Sequence, residues 1–293
     1  MNRHKTGLGA VNMLAEHNTK ANLNKMLGFI EQAAEEDVEL LVFPECALQG
    51  YLWMWDWEKK IYHQDEEMTN YFNRAAEPIP GPSSETISKS SRRYNMVIQF
   101  GAVERAKNGA KIALYNSAVI VGPQGIIGVH HKVHSPQEKV VFARGNSLSV
   151  HTTPVGPIGP MVCADLMYPE SARVLTLKGA DVLTLSSAWG LNPRTDEQGY
   201  RYDLLTRTNA LMNAVWLVSS NQTGQAKRSD ESCYGHSRIV DPMGNVISGT
   251  DYEEGLVTAK VDIKGKVALE RSKLANRCPE AYTIIPMPAE SLT

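Results

Sequence analysis

Three side chains of this 293-residue sequence stand at the ends of β-rich runs and together suit covalent acyl chemistry: Glu45, Lys132 and Cys163. Glu45 closes Leu41-Val42-Phe43-Pro44-Glu45, which sets a carboxylate beyond the end of a hydrophobic strand, where open α/β sheets bind ligands. Lys132 lies in His130-His131-Lys132-Val133-His134, and strand alternation would put His130, Lys132 and His134 on one face. Cys163 closes Pro160-Met161-Val162-Cys163, and Ala164-Asp165-Leu166-Met167-Tyr168-Pro169-Glu170 follows. A nucleophile at such a strand–turn–helix junction is exposed, and the N–H groups after it can face a developing oxyanion. A helix starting just beyond would also favour thiolate.

Each residue alone also has a purely structural reading. Glu45 fits a solvated loop, Lys132 an edge strand protected by charge, and Cys163 a buried core thiol. The histidines at 130, 131 and 134 suit a metal, although the lysine between them would repel a cation and no second ligand cluster lies nearby. The joint occurrence, in the order Glu, Lys, Cys, is the stronger signal.

The elements that must position these residues alternate between β-rich and helical runs. Leu23, Met26, Leu27, Ile30 and Ala34 recur at spacings of three and four, which predicts a helix over 18–36. Strands are expected over 39–43, 96–103, 116–121, 125–134, 159–164, 181–186, 215–220, 237–240 and 256–261. Further helices are expected over 83–94, 169–178 and 202–213. Pro169 suits a helix start and Gly179 a helix end. The turns at Gly122-Pro123-Gln124-Gly125 and Asp241-Pro242-Met243-Gly244 imply antiparallel pairs. The expectation is an α/β layered domain with a mixed sheet.

Composition narrows the class. The chain is 42% hydrophobic and 21% charged, which suits a folded globular protein. A formal net charge of -2 without long runs of one sign gives no basic face for nucleic acid. No apolar stretch reaches 18 residues, so no membrane span is expected. Residues 1–10 are basic but lack the apolar run of a secretory leader. The cysteines at 46, 163, 233 and 278 are few and far apart, which reads as thiols in a reducing, cytoplasmic setting.

With these residues in view, the sequence resembles the nitrilase superfamily of carbon–nitrogen hydrolases, in its amidase-like branch. Phe43-Pro44-Glu45 with Gly50-Tyr51 is similar to that family's glutamate motif, His131-Lys132 with His134 to its lysine motif, and Cys163-Ala164-Asp165 with Tyr168-Pro169-Glu170 to its cysteine motif. Glu138, ahead of Phe142 and Gly145, matches the position of a second family glutamate. Gly179-Ala180-Asp181, Ser187-Ala188-Trp189, residues 207–213, Asn221-Gln222-Thr223-Gly224 and residues 235–242 also have family counterparts. The resemblance covers residues 7–265. The sequence departs from the family pattern at Ala164, where an aromatic residue is usual, at Met212, which replaces a frequent glutamate, and at His130.

The resemblance implies a four-layer α-β-β-α sandwich, with a hydrolase domain over 1–265 and a tail over 266–293 at a subunit interface. It implies a homodimer or higher homo-oligomer that acts on a small-molecule amide, without nucleic acid, membrane, metal or organic cofactor. In that reading Cys163 is the nucleophile, Glu45 the general base and then acid, Lys132 with the Ala164 N–H the oxyanion site, and Glu138 a group positioning Lys132 or the substrate amine. Asp165 is similar to amide-hydrolysing members, so a linear amide is favoured. An N-carbamoyl hydrolase or a nitrilase using the same triad, and a catalytically silent binding module, are the alternatives. Tyr51, Ala164 and Trp189 are the expected substrate-binding residues. Trp53, Trp55 and Trp57 alternate, which suggests an extended piece walling a pocket or packing into an interface.

Overall fold

The computed structural model describes residues 5–51, 55–56, 61–62, 66–135, 141–190, 197–227, 232–283 and 285–286. In chain order these form strand β1 (Thr6–Asn12), helix α1 (Thr19–Glu35) and strand β2 (Leu40–Val42). The short strands β3 (Trp55–Asp56) and β4 (Ile61–Tyr62) precede helices α2 (Glu66–Ala75) and α3 (Pro82–Tyr94). A meander follows, with β5 (Val97–Asn108), β6 (Lys111–Gly122) and β7 (Gly125–His131). Next come β8 (His151–Thr153), β9 (Gly156–Val162), α4 (Pro169–Leu177) and β10 (Val182–Ser187). After α5 (Glu197–Asn213) lie β11 (Trp216–Asn221), β12 (Thr223–Gly224), β13 (Cys233–Tyr234) and β14 (Arg238–Val240). Strands β15 (Val246–Gly249) and β16 (Gly255–Val261) lead into α6 (Ile263–Arg271).

Two six-stranded sheets dominate, in the orders β16-β1-β2-β5-β6-β7 and β15-β14-β11-β10-β9-β8. Both are mixed. In the first, β1, β2 and β5 are parallel, and the β5–β6–β7 meander is antiparallel. In the second, β9, β10 and β11 are parallel, and β8 and β14 pair antiparallel at the flanks.

Alternation along the strands sorts their side chains into layers. Leu40 and Val42 of β2 face the inter-sheet core with Val182, Trp216 and Val218 of the opposite sheet. Leu41 between them faces Met26 and Ile30 of α1 and Ile87 of α3. Leu183, Leu185 and Leu217 turn the other way, to meet Ala172 and Leu175 of α4 and Ala210 of α5. The layers therefore run helix, sheet, sheet, helix, and each fully buried Leu, Ile or Phe adds about 1.5–3 kcal/mol of transfer free energy.

The predicted helices at 18–36, 83–94, 169–178 and 202–213 are present. Asn18 caps α1, its side chain accepting from the Ala21 N–H at 3.1 Å. Nine of these elements have no counterpart among the predicted ones: β1, β3, β4, α2, β8, β12, β13, β15 and α6. Strand β1, Thr6-Gly7-Leu8-Gly9-Ala10-Val11-Asn12, shows no polar–apolar alternation because it is buried along its whole length. Its Gly7 is needed for close approach, since a Cβ there would lie 2.1 Å from the Asp37 carbonyl oxygen. Strands β5 and β6 also extend beyond the expected ends, into a hairpin whose exposed tip at 107–112 carries no hydrophobic period. Helix α6 runs across residue 265. No helix among the described residues is long and apolar enough to cross a membrane.

Candidate active site

Glu45 follows β2 at the end where the two sheets meet. Its peptide N–H donates to the Ser187 carbonyl at 3.2 Å, and its carbonyl accepts from the Gln222 side-chain amide at 2.7 Å, so one partner ends β10 and the other directly follows β11 of the opposite sheet. The loop lies directly on Gly101 of β5, where a Cβ would fall 2.3 Å from the Pro44 oxygen and 2.4 Å from the Cys46 nitrogen. Cys46 turns the chain in the left-handed region, at φ 47°. The carboxylate is fully buried. Its Oε1 accepts from Lys132 Nζ at 2.7 Å and from Asn116 Nδ2 at 2.7 Å, and its Oε2 accepts from the Ala188 N–H at 2.9 Å. A solvated loop glutamate is thereby excluded.

Lys132 stands one residue past the end of β7. Its N–H donates to the Asn116 carbonyl, and its carbonyl accepts from Gly145 N–H at 2.8 Å. The side chain is buried, and Nζ sits 5.9 Å from the centre of the Tyr51 ring. The expected sharing of one face by His130, Lys132 and His134 resolves into two tasks. Lys132 reaches Glu45, whereas both histidines bond Asp165.

Cys163 opens a short 3-10 turn, Cys163–Met167, directly after β9, with φ at 42°. Two non-glycine residues in a costly backbone region thus carry or adjoin the glutamate and the cysteine. The first N–H groups of a helical turn lack partners within it, so the Ala164 N–H is available beside the sulfur. Burial is the main influence on the thiol and pushes it far up, and the Glu45 charge adds to this; Lys132, Ser187 and Ala188 oppose it. Burial and the Glu45 charge thus work against the thiolate that a helix start would favour.

Asp165, present in the sequence motif but not among the predicted site residues, ties the lysine segment to the cysteine turn. It is fully buried. Oδ1 accepts from the Val133 N–H, the His134 N–H and His134 Nδ1 at 3.2, 2.9 and 2.8 Å; Oδ2 accepts from His130 Nε2 and the Val162 N–H at 2.9 and 3.0 Å. Burial by itself would raise this carboxyl, but the bonds from His130, His134 and Val162 outweigh it and hold the group well below the ordinary carboxylate range. A depressed folded-state value stabilises the fold above the unfolded value of about 3.9, and that contribution fades as pH falls below it. Asp165→Asn should therefore lower the melting temperature near neutral pH and flatten the acid limb of a stability–pH curve. Parallel curves for the two proteins would refute the assignment.

Asn116 is a further residue of the site, and its segment carries no such motif. It donates to Glu45, its main chain accepts from Lys132, and its Oδ1 faces the Cys46 thiol at 3.6 Å. Of the expected substrate-binding residues, Tyr51 is buried against Lys132 and Ala164 is half-buried beside the nucleophile. Trp189 packs in the same apolar cluster as Cys163, its ring 5.6 Å from that of Tyr202. Tyr202 and Tyr234 extend this aromatic wall. Glu138, Trp53 and Trp57 lie outside the described residues, and Trp55 is described only as backbone in β3.

The geometry is matched by similarity to known proteins. The model of the family described as Carbon-nitrogen hydrolase matches residues 8–268. The chain is 32% identical over 272 residues to a protein of Schizosaccharomyces pombe named Probable nitrilase C965.09, covering 90% of this chain and 92% of that one. It is 28% identical over 271 residues to Omega-amidase NIT2-B of Xenopus laevis, covering 89% and 90%. Among solved structures it superposes on Saccharomyces cerevisiae Nit3, a member of branch 10 of the nitrilase superfamily, with a TM-score of 0.78 at 24% identity over 94% of this chain and 97% of that one. A carbon–nitrogen hydrolase from Helicobacter pylori gives 0.83 at 22% identity, over 98% and 100%. At these identities the structures bear on the fold, and they agree with the α-β-β-α sandwich.

Proposed function

The chain belongs to the carbon–nitrogen hydrolase family of the nitrilase superfamily, an amidase-like hydrolase, and from that premise we propose that it cleaves a small linear amide to a carboxylic acid and ammonia through a thioester on Cys163. The observation that carries this reading is the buried Glu45 carboxylate, bonded to Lys132 at 2.7 Å and electrostatically coupled to the Cys163 thiol.

Glu45 takes the thiol proton as the sulfur adds to the amide carbon. Lys132 Nζ and the Ala164 N–H receive the negative oxygen of the tetrahedral intermediate. Glu45 passes its proton to the departing nitrogen, the C–N bond breaks, and the acyl group remains on sulfur. A water then gives its proton to Glu45 and adds to the thioester carbon. Collapse of this second intermediate breaks the C–S bond, returns the proton to sulfur and releases the acid. One carboxyl thus serves as base and acid in turn, which separates a difficult displacement into two easier steps. Glu138 positions Lys132 or the leaving amine. Tyr51, Ala164 and Trp189 bound the acyl site, where the small Ala164 leaves space beside the nucleophile.

The hydrolase domain in this reading spans 1–265, and the protein is cytoplasmic. The cysteines at 46, 163, 233 and 278 are few and far apart in the chain, in keeping with a reducing compartment. The protein acts as a homodimer through α4 and α5, with the tail from 266 at the interface. Leu177, Leu204, Leu211 and Met212 on these helices, with Met167 and Met243, are exposed apolar side chains of the kind a subunit contact buries. Leu211→Glu should halve the mass measured by light scattering; a wild type that is already monomeric rules the dimer out.

The substrate class is tested by intact mass spectrometry of the protein mixed with short amides, N-carbamoyl amino acids and nitriles. An acyl mass gain and released ammonia with amides support the reading. Carbon dioxide released along with ammonia from a carbamoyl compound, or turnover of nitriles alone, replaces it with one of the sister activities. No adduct and no product across the panel favours a silent binding role.

A further inference from the structure

Ser187 closes β10 at the junction of the base and the nucleophile. The parallel register of β9 and β10 pairs Val162 with Ser186, so the next step of the ladder sets Ser187 beside Cys163. Leu183 and Leu185, on the same face of β10 as Ser187, pack in the apolar cluster that contains Cys163. Ser186 faces the other way, its hydroxyl donating to the Phe43 carbonyl and accepting from Gln99. The Ser187 backbone is fixed from two sides, because its carbonyl accepts from the Glu45 N–H at 3.2 Å and the Gln222 N–H at 3.0 Å. The neighbouring Ala188 N–H holds Glu45 Oε2.

Against this order, the Ser187 hydroxyl is fully buried and, among the described residues, makes no hydrogen bond of regular geometry. Folded proteins rarely bury a hydroxyl without a partner, and a catalytic role is one explanation of such an exception. A neutral thiol is a weak acceptor, which explains the idle donor in the resting state. A sulfur that carries negative charge is a strong one.

We propose that Ser187 is a further catalytic residue, whose hydroxyl donates a hydrogen bond to the Cys163 sulfur as that sulfur gains negative charge. The inference rests on the reading of Cys163 as nucleophile and adds to it. The serine keeps its proton throughout. The bond strengthens as the thiol proton moves to Glu45, weakens in the neutral thioester, and strengthens again when the second intermediate expels sulfur. An interaction that grows only along the reaction lowers the barrier without tightening the ground state. The electrostatic balance at the thiol agrees: burial and Glu45 push it up, and the Ser187 hydroxyl is among the groups that pull it down.

The test compares wild type, Ser187→Ala, Ser187→Thr and Cys163→Ala in the full chain. Three quantities are read: amide turnover, melting temperature, and the rate at which iodoacetamide alkylates Cys163, followed by peptide mass so that the other three cysteines do not interfere. In Ser187→Ala the alkylation rate and kcat should both fall about tenfold, the size of one charge-assisted hydrogen bond, with KM little changed. The melting temperature should hold or rise, since an unpartnered buried hydroxyl is removed. Ser187→Thr, which keeps the donor, should recover alkylation. An unchanged alkylation rate in Ser187→Ala overturns the proposal, as does a loss of rate that follows a fall in melting temperature. Turnover that survives in Cys163→Ala would instead overturn the nucleophile reading, a separate result, because alkylation reports on the sulfur without requiring catalysis.

Discussion

Cys163→Ala is expected to lose turnover by at least about four orders of magnitude while leaving the fold intact. Without sulfur no thioester forms, so the whole covalent route is lost rather than one contribution to it. The remaining oxyanion donors and the Glu45 base cannot substitute, because water would have to occupy the position of the sulfur and be deprotonated there. Stability should change by no more than about 1 kcal/mol, since the substitution keeps a small apolar side chain and the same backbone. Its φ of 42° costs an alanine as much as it costs the cysteine. The measurement is amide turnover and acyl adduct mass beside a thermal melt. Turnover within tenfold of wild type in a folded variant would end the assignment of Cys163 as nucleophile.

Lys132→Met should fail in a different way, losing activity and stability together. Lys132 is 3% exposed, and its Nζ is the cation against a fully buried carboxylate. Methionine matches its length but removes the charge that Lys132 sets against the Glu45 carboxylate. Breaking a buried pair from one side strands the other charge, which costs about 3–5 kcal/mol. The oxyanion also loses a donor, worth about 10²–10³ in kcat. Denaturant titration gives the first effect and turnover the second. A variant as stable as wild type would show that the pair is not buried as described, and full activity would remove Lys132 from the mechanism. The contrast with Cys163→Ala separates the two roles, because both variants are inactive but only the lysine variant is expected to be destabilised.

The arrangement explains why burial around this site is tolerated. Asp165 and Glu45 are buried carboxylates, and each is surrounded by donors from several elements. Asp165 accepts from the lysine segment and from the strand before the cysteine, so a single side chain fixes how far Lys132 stands from Cys163. Asn116 does the same for Glu45 and Lys132. Geometry of this kind holds reacting groups in place before substrate arrives, and the resulting gain is entropic.

Much of this was legible from local pattern. The spacing of Leu23, Met26, Leu27 and Ile30 specifies α1, because a 3.6-residue period leaves one apolar stripe. The runs ending at Phe43 and Val162 specify strands, and the residues after them, Glu45 and Cys163, fall at strand ends whatever the rest of the chain does. The order of the glutamate, lysine and cysteine segments, with their flanking residues, was sufficient to suggest the family. Tertiary structure alone decided which groups touch. Lys132 and Glu45 are 87 positions apart, Ala188 and Glu45 143, and Gln222 and Glu45 177. No short-range propensity encodes a contact across such distances, because it exists only after two separate sheets have closed on a common core. For the same reason β1 is hidden in the sequence, since its strand character comes from neighbours on both edges and not from its own residues. The electrostatic surroundings of Cys163 also belong to tertiary structure. The sequence places the sulfur at the start of a turn, which favours thiolate, but packing between the sheets and helices decides how much water reaches it, and burial pushes the thiol the other way.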